Sequence, residues 1–369
     1  THLQVLLESL RKLLRRNAHQ RVSHILAKTR SEDIASVMRY LDEHQRQQLF
    51  DLLESDEVRA DTLAELDPHI FVQVVEQRSV DEMAGVIALM SVDDQANLLS
   101  ELPEELRSEI LENLTPDDAQ ELEEILHYER DSAGGIMSTD FFSLEEQKTC
   151  AEAITALQQA EDVEMAFYIY VVNSNMNLCG VVSLRELVIN PPERTLAEIK
   201  INEVISVRLD HDQEEVAQLA ARYNLLAIPV VDEHNHLVGI ITIDDVIDVI
   251  REEATEDILK MAGADESAFD ESSVISNFTT RAPWLFATWL GGLMASVLIG
   301  AFEHELEKNV ALTAFIPIVL GMGGNVGTQT ATIMVRGLAT GRVEYGLGAR
   351  YLMRELGVGA LAVVLPRAP

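Results

Sequence analysis

The sequence of 369 residues predicts a multidomain membrane protein of α plus α/β type, on three observations. A helical repeat fills its first third, a helix–strand–strand–helix unit occurs twice in register, and two uncharged apolar runs follow toward the C-terminal end. The expected order is an N-terminal α-helical superhelical solenoid, a tandem α/β pair, a long acidic connecting helix and a polytopic helical transmembrane part.

The repeat comes first. LDEHQRQQLFDLL begins at Leu41, LDPHIFVQVV at Leu66, MSVDDQANLL at Met90 and LTPDDAQELE at Leu114, a spacing of 25, 24 and 24 residues. In several units an Asp or Pro follows the leading apolar residue, which places helix-start chemistry at each junction. Amphipathic helices of about ten residues separated by short polar breaks are read as stacked helical hairpins, because one such unit cannot bury its apolar face alone. A plain helical bundle is the alternative.

In the second part, IYVVNSNMNLCGVVSLRELV (Ile169 to Val188) matches IPVVDEHNHLVGIITIDDVI (Ile228 to Ile247) at a constant offset of 59. Each copy runs from an apolar strand through a polar turn to a second strand, then Gly-h-h-Ser/Thr (h, apolar), then a helix. AEAITALQQA and QEEVAQLAARY supply the preceding helices. This tandem resembles a pair of CBS domains, the second copy carrying the Leu-Val-Gly-Ile-Ile-Thr-Ile-Asp-Asp string.

From Asp244 the chain continues as DDVIDVIREEATEDILKMAGA, and residues 244–257 hold seven acids against one arginine. Asp245, Asp248, Glu252 and Glu256 step by three, four and four residues and so share one helix face, with Val246, Val249, Ile250 and Ile258 on others. Carboxylates this dense repel one another unless cations screen them. For any single acid a solvated helix face is the plainer reading; the cluster carries more weight.

Ala282 to Phe302 and Val310 to Val335 are uncharged and long enough to cross a bilayer. The connector EHELEKN is short and acidic, whereas Arg336, Arg342, Arg350 and Arg354 follow the second run, so that side is expected to be cytoplasmic. Two crossings return the chain to its starting side, which places the N-terminal region in the cytoplasm; the absence of a signal peptide leads to the same expectation. A third apolar run starts near Leu356 and stops within about ten residues, too few to span. The transmembrane part is therefore expected to be incomplete.

Charge bounds the function classes. The 62 acidic residues face 28 basic ones for a formal net charge of -34, nearly all of it before residue 275, although 47% of the chain is hydrophobic. Such a surface repels nucleic acid and anionic headgroups and attracts cations. Cys150 and Cys179 are read as free cytosolic thiols, and a zinc site is not expected. The histidines are scattered, with His19, His24 and His44 read as solenoid surface residues. No Ser/His/Asp order, HExxH, Walker or DFG-like motif marks an enzyme.

The second run contains Pro317-Ile-Val-Leu-Gly321-Met-Gly323-Gly324-Asn325-Val-Gly327-Thr-Gln329. Glycine and proline at membrane depth suit backbone that packs on other protein or lines a water-filled path. Asn325 and Gln329 lie four apart on one face and offer neutral carbonyl oxygens. Mg2+ dehydrates reluctantly, so hydrogen bonds to its water shell are a sensible way to pass it.

The ordered set of an acidic helical domain, a CBS pair, ATEDILKMAGA and Pro-x3-Gly-x-Gly-Gly-Asn-x-Gly-x-Gln resembles the MgtE magnesium channels over essentially the whole chain. The resemblance implies a Mg2+ channel, homodimeric, with five membrane helices per subunit and a pore at the dimer interface. Pro317, Gly323, Gly324, Asn325 and Gln329 would line that pore. It implies regulatory Mg2+ bound among N-terminal, CBS and connecting-helix carboxylates, holding that helix closed as a plug. By motif, Asp93, Asp212, Glu214, Asp245, Asp248, Glu253, Glu256 and Asp257 fall on regulatory metal positions, and Ala221 would offer a backbone group. Asn224 replaces one regulatory acid of the family, which would weaken its site. Some members bind ATP in the CBS pair; Tyr168, Arg185 and Glu186 match that region, with Glu where Asp is usual. The family's ion-selecting aspartate lies on the fifth membrane helix, so this chain alone is not expected to form a selective pore.

The domains implied are 1–128 (helical), 129–193 and 194–254 (CBS), 255–280 (plug helix) and 281–369 (partial transmembrane domain). A Co2+ or Mn2+ transporter is the runner-up, because sequence ranks metals poorly. A soluble CBS-type nucleotide sensor is disfavoured by the two apolar runs.

Overall fold

The computed structural model describes residues 2–160, 167–264, 274–339, 353, 354 and 357. They fall into two compact units, Thr1–Val249 and Ile250–Pro369.

The first unit opens with ten helices: α1 (His2–Leu14), α2 (His19–Leu26), α3 (Ser31–Met38), α4 (Glu43–Asp51), α5 (Asp56–Ala64), α6 (Pro68–Val75), α7 (Val80–Ile87), α8 (Val92–Ser100), α9 (Glu104–Glu112) and α10 (Pro116–Leu126). Most are too short to persist alone in water, and packing supplies what local bonds do not. Helices pack on their neighbours but one: α3 on α5, α5 on α7, α7 on α9, α4 on α6 and α8 on α10. That is the stacking of a solenoid. One apolar core runs through it, from Leu10 by way of Phe50, Phe71, Met83 and Leu99 to Ile125.

The repeat marks real helix starts. Asp42, Asp67, Ser91 and Thr115 are the N-caps of α4, α6, α8 and α10, and Pro68 and Pro116 sit in the first turn. Asp42 accepts from the Gln45 amide and Thr115 from that of Asp118.

Two α/β modules follow. The first holds β1 (Ser143–Glu145), α11 (Cys150–Gln159), β2 (Tyr168–Val172), β3 (Leu178–Ser183), α12 (Leu184–Ile189) and α13 (Leu196–Ile199). The second holds β4 (Val207–Arg208), α14 (Gln213–Tyr223), β5 (Ala227–Val231), β6 (Leu237–Thr242) and the start of α15 (Ile243–Ala262). In each the short strand pairs parallel to the middle one, and the middle one pairs antiparallel to the last. Tyr168 faces Ser183 as Ala227 faces Thr242, and both hairpins carry an irregularity, at Val171/Val172 and Val230/Val231. The offset of 59 thus survives residue by residue.

Two features depart from the sequence reading. The short strands β1 and β4 have too few residues to show a period. The Gly-h-h-Ser/Thr string lies inside the second strand, not after it. Gly239 is needed there because the crossing segment pairs Ser138 with Ile240 in both directions, and a Cβ on Gly239 would come 2.9 Å from the Ser138 carbonyl oxygen. The two modules meet through Tyr170, Val172, Leu237 and Ile240, while Val246 and Val249 of α15 enter the core of the second module.

The second unit contains the rest of α15, then α16 (Val274–Ala301), α17 (Glu303–Lys308), α18 (Val310–Thr313) and α19 (Ile316–Ala339). Two segments are long and apolar enough to cross a membrane, Arg281–Ala301 and Val310–Gly337. They are neither N-terminal nor buried, so neither a leader nor a soluble core helix accounts for them: Trp284 is 63% exposed and Val297 74%. The acidic connector is itself helical. The helix of the second segment starts afresh at Ile316, and Pro317 occupies its first turn, where a missing N–H costs little. Gly321, Gly323, Gly324 and Gly327 do not interrupt it. Arg342, Arg350 and the third apolar run from Leu356 on lie largely outside the described residues.

Candidate metal centre

Six carboxylates of the first unit, Glu65, Asp93, Asp94, Asp244, Asp245 and Asp248, lie within electrostatic reach of partners in the set across α5, α8 and the start of α15. Asp93 lies in the first turn of α8 and is only 6% exposed. Its Oδ1 is buried without a hydrogen-bond partner among the described residues. Burial pushes its carboxyl well above the usual range, and the charges of Asp245 and then Asp94 add to that push, against a hydrogen bond from Ser91. Asp94 is also raised by burial, with Asp244 and Asp248 contributing, although Ser91 Oγ donates to its Oδ2 at 2.9 Å. Glu65, just beyond α5, is more open; partial desolvation raises it first, then Asp248, Glu32 and Asp94, with Arg39 opposing.

Local chemistry aims these groups. Asp94 is held at the α8 N-terminus by the Ser91 hydroxyl. Asp245 Oδ2 accepts from the Thr242 amide at 3.1 Å and from its hydroxyl, fixing the side chain at the first turn of α15. Asp248 lies one turn further along the same helix. Like charges that raise one another's ionisation are relieved by a proton or by a bridging cation. An orphaned buried carboxylate oxygen among further carboxylates is a donor set of hard oxygens, which suits Mg2+.

Of the residues singled out by sequence, Asp245 acts on the charge of Asp93, and Asp248 on those of Asp94 and Glu65. Glu65, Asp94 and Asp244 belong to the same group; Asp94 lies in the SVDD string and Asp244 among the seven acids of residues 244–257, whereas Glu65 carried no visible signal. Asp212 is the N-cap of α14, its Oδ1 accepting from the Glu214 amide at 2.8 Å, and Gln218 donates to Glu214 at 3.3 Å. Ala221 is exposed on the same helix, whose last residue is followed by Asn224 in the left-handed conformation (φ 54°). Glu253, Glu256 and Asp257 belong to the second unit, where Glu256 pairs with Lys260 one turn on. Pro317, Gly323, Gly324, Asn325 and Gln329 lie along α19.

A separate cleft of about 550 Å3 opens on the first α/β module, lined by Phe167, Tyr168, Ser183, Leu184, Arg185, Val188, Ile189 and Leu226. Glu186 stands beside it, its carboxylate 3.2 Å from Arg185 Nη1 and from Asn190 Nδ2. His19, His24 and His44 are exposed on the solenoid, as expected. The histidines are not all scattered, however: His234 and His236 gather with Asp232 in one loop.

Comparison with known proteins agrees with this architecture. Family descriptions match as the MgtE intracellular N domain over residues 29–131, the CBS domain over 133–191 and 196–252, and the divalent cation transporter domain over 316–366. The magnesium transporter MgtE of Bacillus subtilis is 34% identical over 90% of this chain and 75% of its own length. The chain belongs to the MgtE family. The magnesium transporter MgtE of Thermus thermophilus is 38% identical over 77% of this chain, and the match spans 62% of that relative's length. Among solved structures, the soluble part of a magnesium transporter is 33% identical, with a TM-score of 0.61 over 68% of this chain and 99% of that one. The cytosolic domain of the Mg2+ channel MgtE in complex with ATP is likewise 33% identical, with a TM-score of 0.62 over 66% and 99%. A helical N-terminal domain, a CBS pair and a helical C-terminal part with two candidate spans constitute the MgtE arrangement.

Proposed function

We propose that this chain carries the Mg2+ sensor and the first membrane helices of a magnesium transporter whose opening is opposed by cytoplasmic Mg2+. The observation that carries the reading is Asp93: a buried carboxylate with an unpartnered oxygen, facing Asp245 and Asp94. A divalent ion there would neutralise charges that otherwise push α8 and the start of α15 apart, so ion binding would favour the closed arrangement by differential affinity. Asp93, Asp94, Asp245 and Asp248 would hold it, with Glu65 and Asp244 shaping the field. Asp212, Glu214, Ala221, Glu253, Glu256 and Asp257 are proposed for further regulatory ions on the family pattern.

The oxygen-only donor set suits Mg2+ and Mn2+ better than Co2+, and the relatives, named magnesium transporters, favour Mg2+ of the two. The remainder of the reading follows from the relatives. The chain would work as a homodimer in a bacterial inner membrane, multi-pass, with its N-terminal region cytoplasmic. It would be divided at 1–128, 129–193, 194–254, 255–280 and 281–369. Pro317, Gly323, Gly324, Asn325 and Gln329 would face the ion path in a pore completed by further helices. ATP would occupy the CBS cleft, its base against Phe167, Tyr168 and Leu226 and its phosphates toward Arg185.

The test is limited proteolysis of the purified chain across a Mg2+ titration. Protection that saturates with Mg2+, with a midpoint displaced to higher concentration in Asp93→Asn, supports the reading. An identical digestion pattern with and without Mg2+ removes it.

A further inference from the structure

The β5–β6 loop, Asp232 to His236, is the one described cluster in which imidazoles and a carboxylate share a potential ion position. Asp232 Oδ1 is consumed by the loop, accepting from the His234 and His236 amides at 2.8 Å each. Its Oδ2 faces outward to the rings, 2.8 Å from His236 Nδ1 and 3.8 Å from His234 Nδ1. The two rings lie nearly parallel, centroids 5.7 Å apart at 22°. Ligand bonds of about 2.0–2.2 Å place donors about 2.8–3.1 Å apart at octahedral angles and about 3.3–3.6 Å apart at tetrahedral ones. The shorter distance, 2.8 Å, meets the lower limit, and the longer, 3.8 Å, needs only a small turn of the His234 ring to enter the range.

The backbone beneath is fixed. Asn235 adopts φ 64°, the Asp232 amide donates to the His236 carbonyl, and Asn177 Nδ2 donates to the His234 carbonyl from the other module. The first module supplies an internal comparison at the offset of 59: Asn173, Asn175 and Asn177 build the same loop. Asn173 Oδ1 accepts from the Asn175 and Asn177 amides at 2.9 and 3.0 Å, and Met176 takes the left-handed position at φ 61°. Loop geometry therefore needs only an acceptor at the first position. The second carboxylate oxygen and the two imidazoles are surplus to it.

We propose that Asp232, His234 and His236 form a binding site for a first-row transition divalent cation such as Zn2+, Co2+ or Ni2+, distinct from the carboxylate centre. Imidazole nitrogen suits these ions, whereas Mg2+ prefers oxygen. Three protein donors leave coordination positions open to water. Because the loop hydrogen-bonds to its counterpart in the first module through Asn177 and Asn235, occupancy also fastens the two modules together.

The test is calorimetric and visible-absorption titration of Co2+ into the full chain in detergent micelles, with Mg2+ in excess so that oxygen-only sites are filled. Saturable binding of a single Co2+ per chain is expected. It should be lost in the combined variant Asp232→Asn, His234→Asn, His236→Asn, which copies the residues of the first loop and so keeps the turn. His234→Asn alone should weaken it by about tenfold or more. No saturable Co2+ binding above the Mg2+ background, or equal binding by wild type and both variants, overturns the proposal.

Discussion

The charge of Asp245, in the first turn of α15, acts on the buried carboxyl of Asp93, in the first turn of α8, and raises its ionisation together with burial. Such a repulsion is relieved by a proton, by separation or by a bound cation. The expected behaviour of the molecule follows largely from that pair.

Replacing both partners with asparagine keeps their shape and removes the repulsion. Asp93→Asn with Asp245→Asn should raise thermal stability in chelator and flatten its dependence on Mg2+, read by thermal unfolding across a Mg2+ series. A double variant whose Mg2+ response matches the wild type would place the sensor elsewhere.

The pH dependence has a definite sign. Burial raises the Asp93 carboxyl above its unfolded value, so between the two values the folded state binds the extra proton. Stability in chelator should therefore rise as pH falls from neutrality through the raised range. Saturating Mg2+ should suppress the gain, because the ion takes the place of the proton. Denaturant midpoints at several pH values, with and without Mg2+, measure both.

Arg78 anchors the solenoid. Its side chain is 8% exposed, its guanidinium lies 4.5 Å from the Phe50 ring centre, and it donates to Asp51 at 2.8 Å. Arg78→Ala should cost about 2–3 kcal/mol of stability, seen as a lower unfolding midpoint, with the Mg2+ response retained.

Tyr170 is the opposite case. Its hydroxyl is buried between the two modules with no hydrogen-bond partner among the described residues, and burial, with Tyr168, pushes its ionisation far up. Tyr170→Phe should be neutral or stabilising by about 1 kcal/mol, because only a desolvation penalty is removed.

The nucleotide binding proposed for the cleft has its own readout. Tyr168→Ala and Arg185→Ala should each weaken ATP binding by about tenfold, consistent with about 1–2 kcal/mol for a stacked ring or a charged hydrogen bond. Mg2+ protection should be unchanged, as measured by parallel calorimetric and proteolysis titrations.

Patterns confined to neighbouring residues were legible in the amino-acid order alone. The spacing of Leu41, Leu66, Met90 and Leu114 marked helix starts because capping is settled within one turn. The offset of 59 predicted matched hairpins because alternation and turn chemistry are local. The seven acids of residues 244–257 announced a charged helix, and two uncharged runs announced the candidate spans. The strands β1 and β4 escaped, having too few residues to display a period and existing only by pairing with β2 and β5. Which carboxylates share one volume was likewise decided by the tertiary structure. Glu65 and Asp94 come to Asp244, Asp245 and Asp248 through the stacking of the solenoid and its placement against the second α/β module, some 150 residues along the chain. Sequence separation carries no information about such an encounter, whereas burial and Coulomb repulsion depend on nothing but distance and solvent.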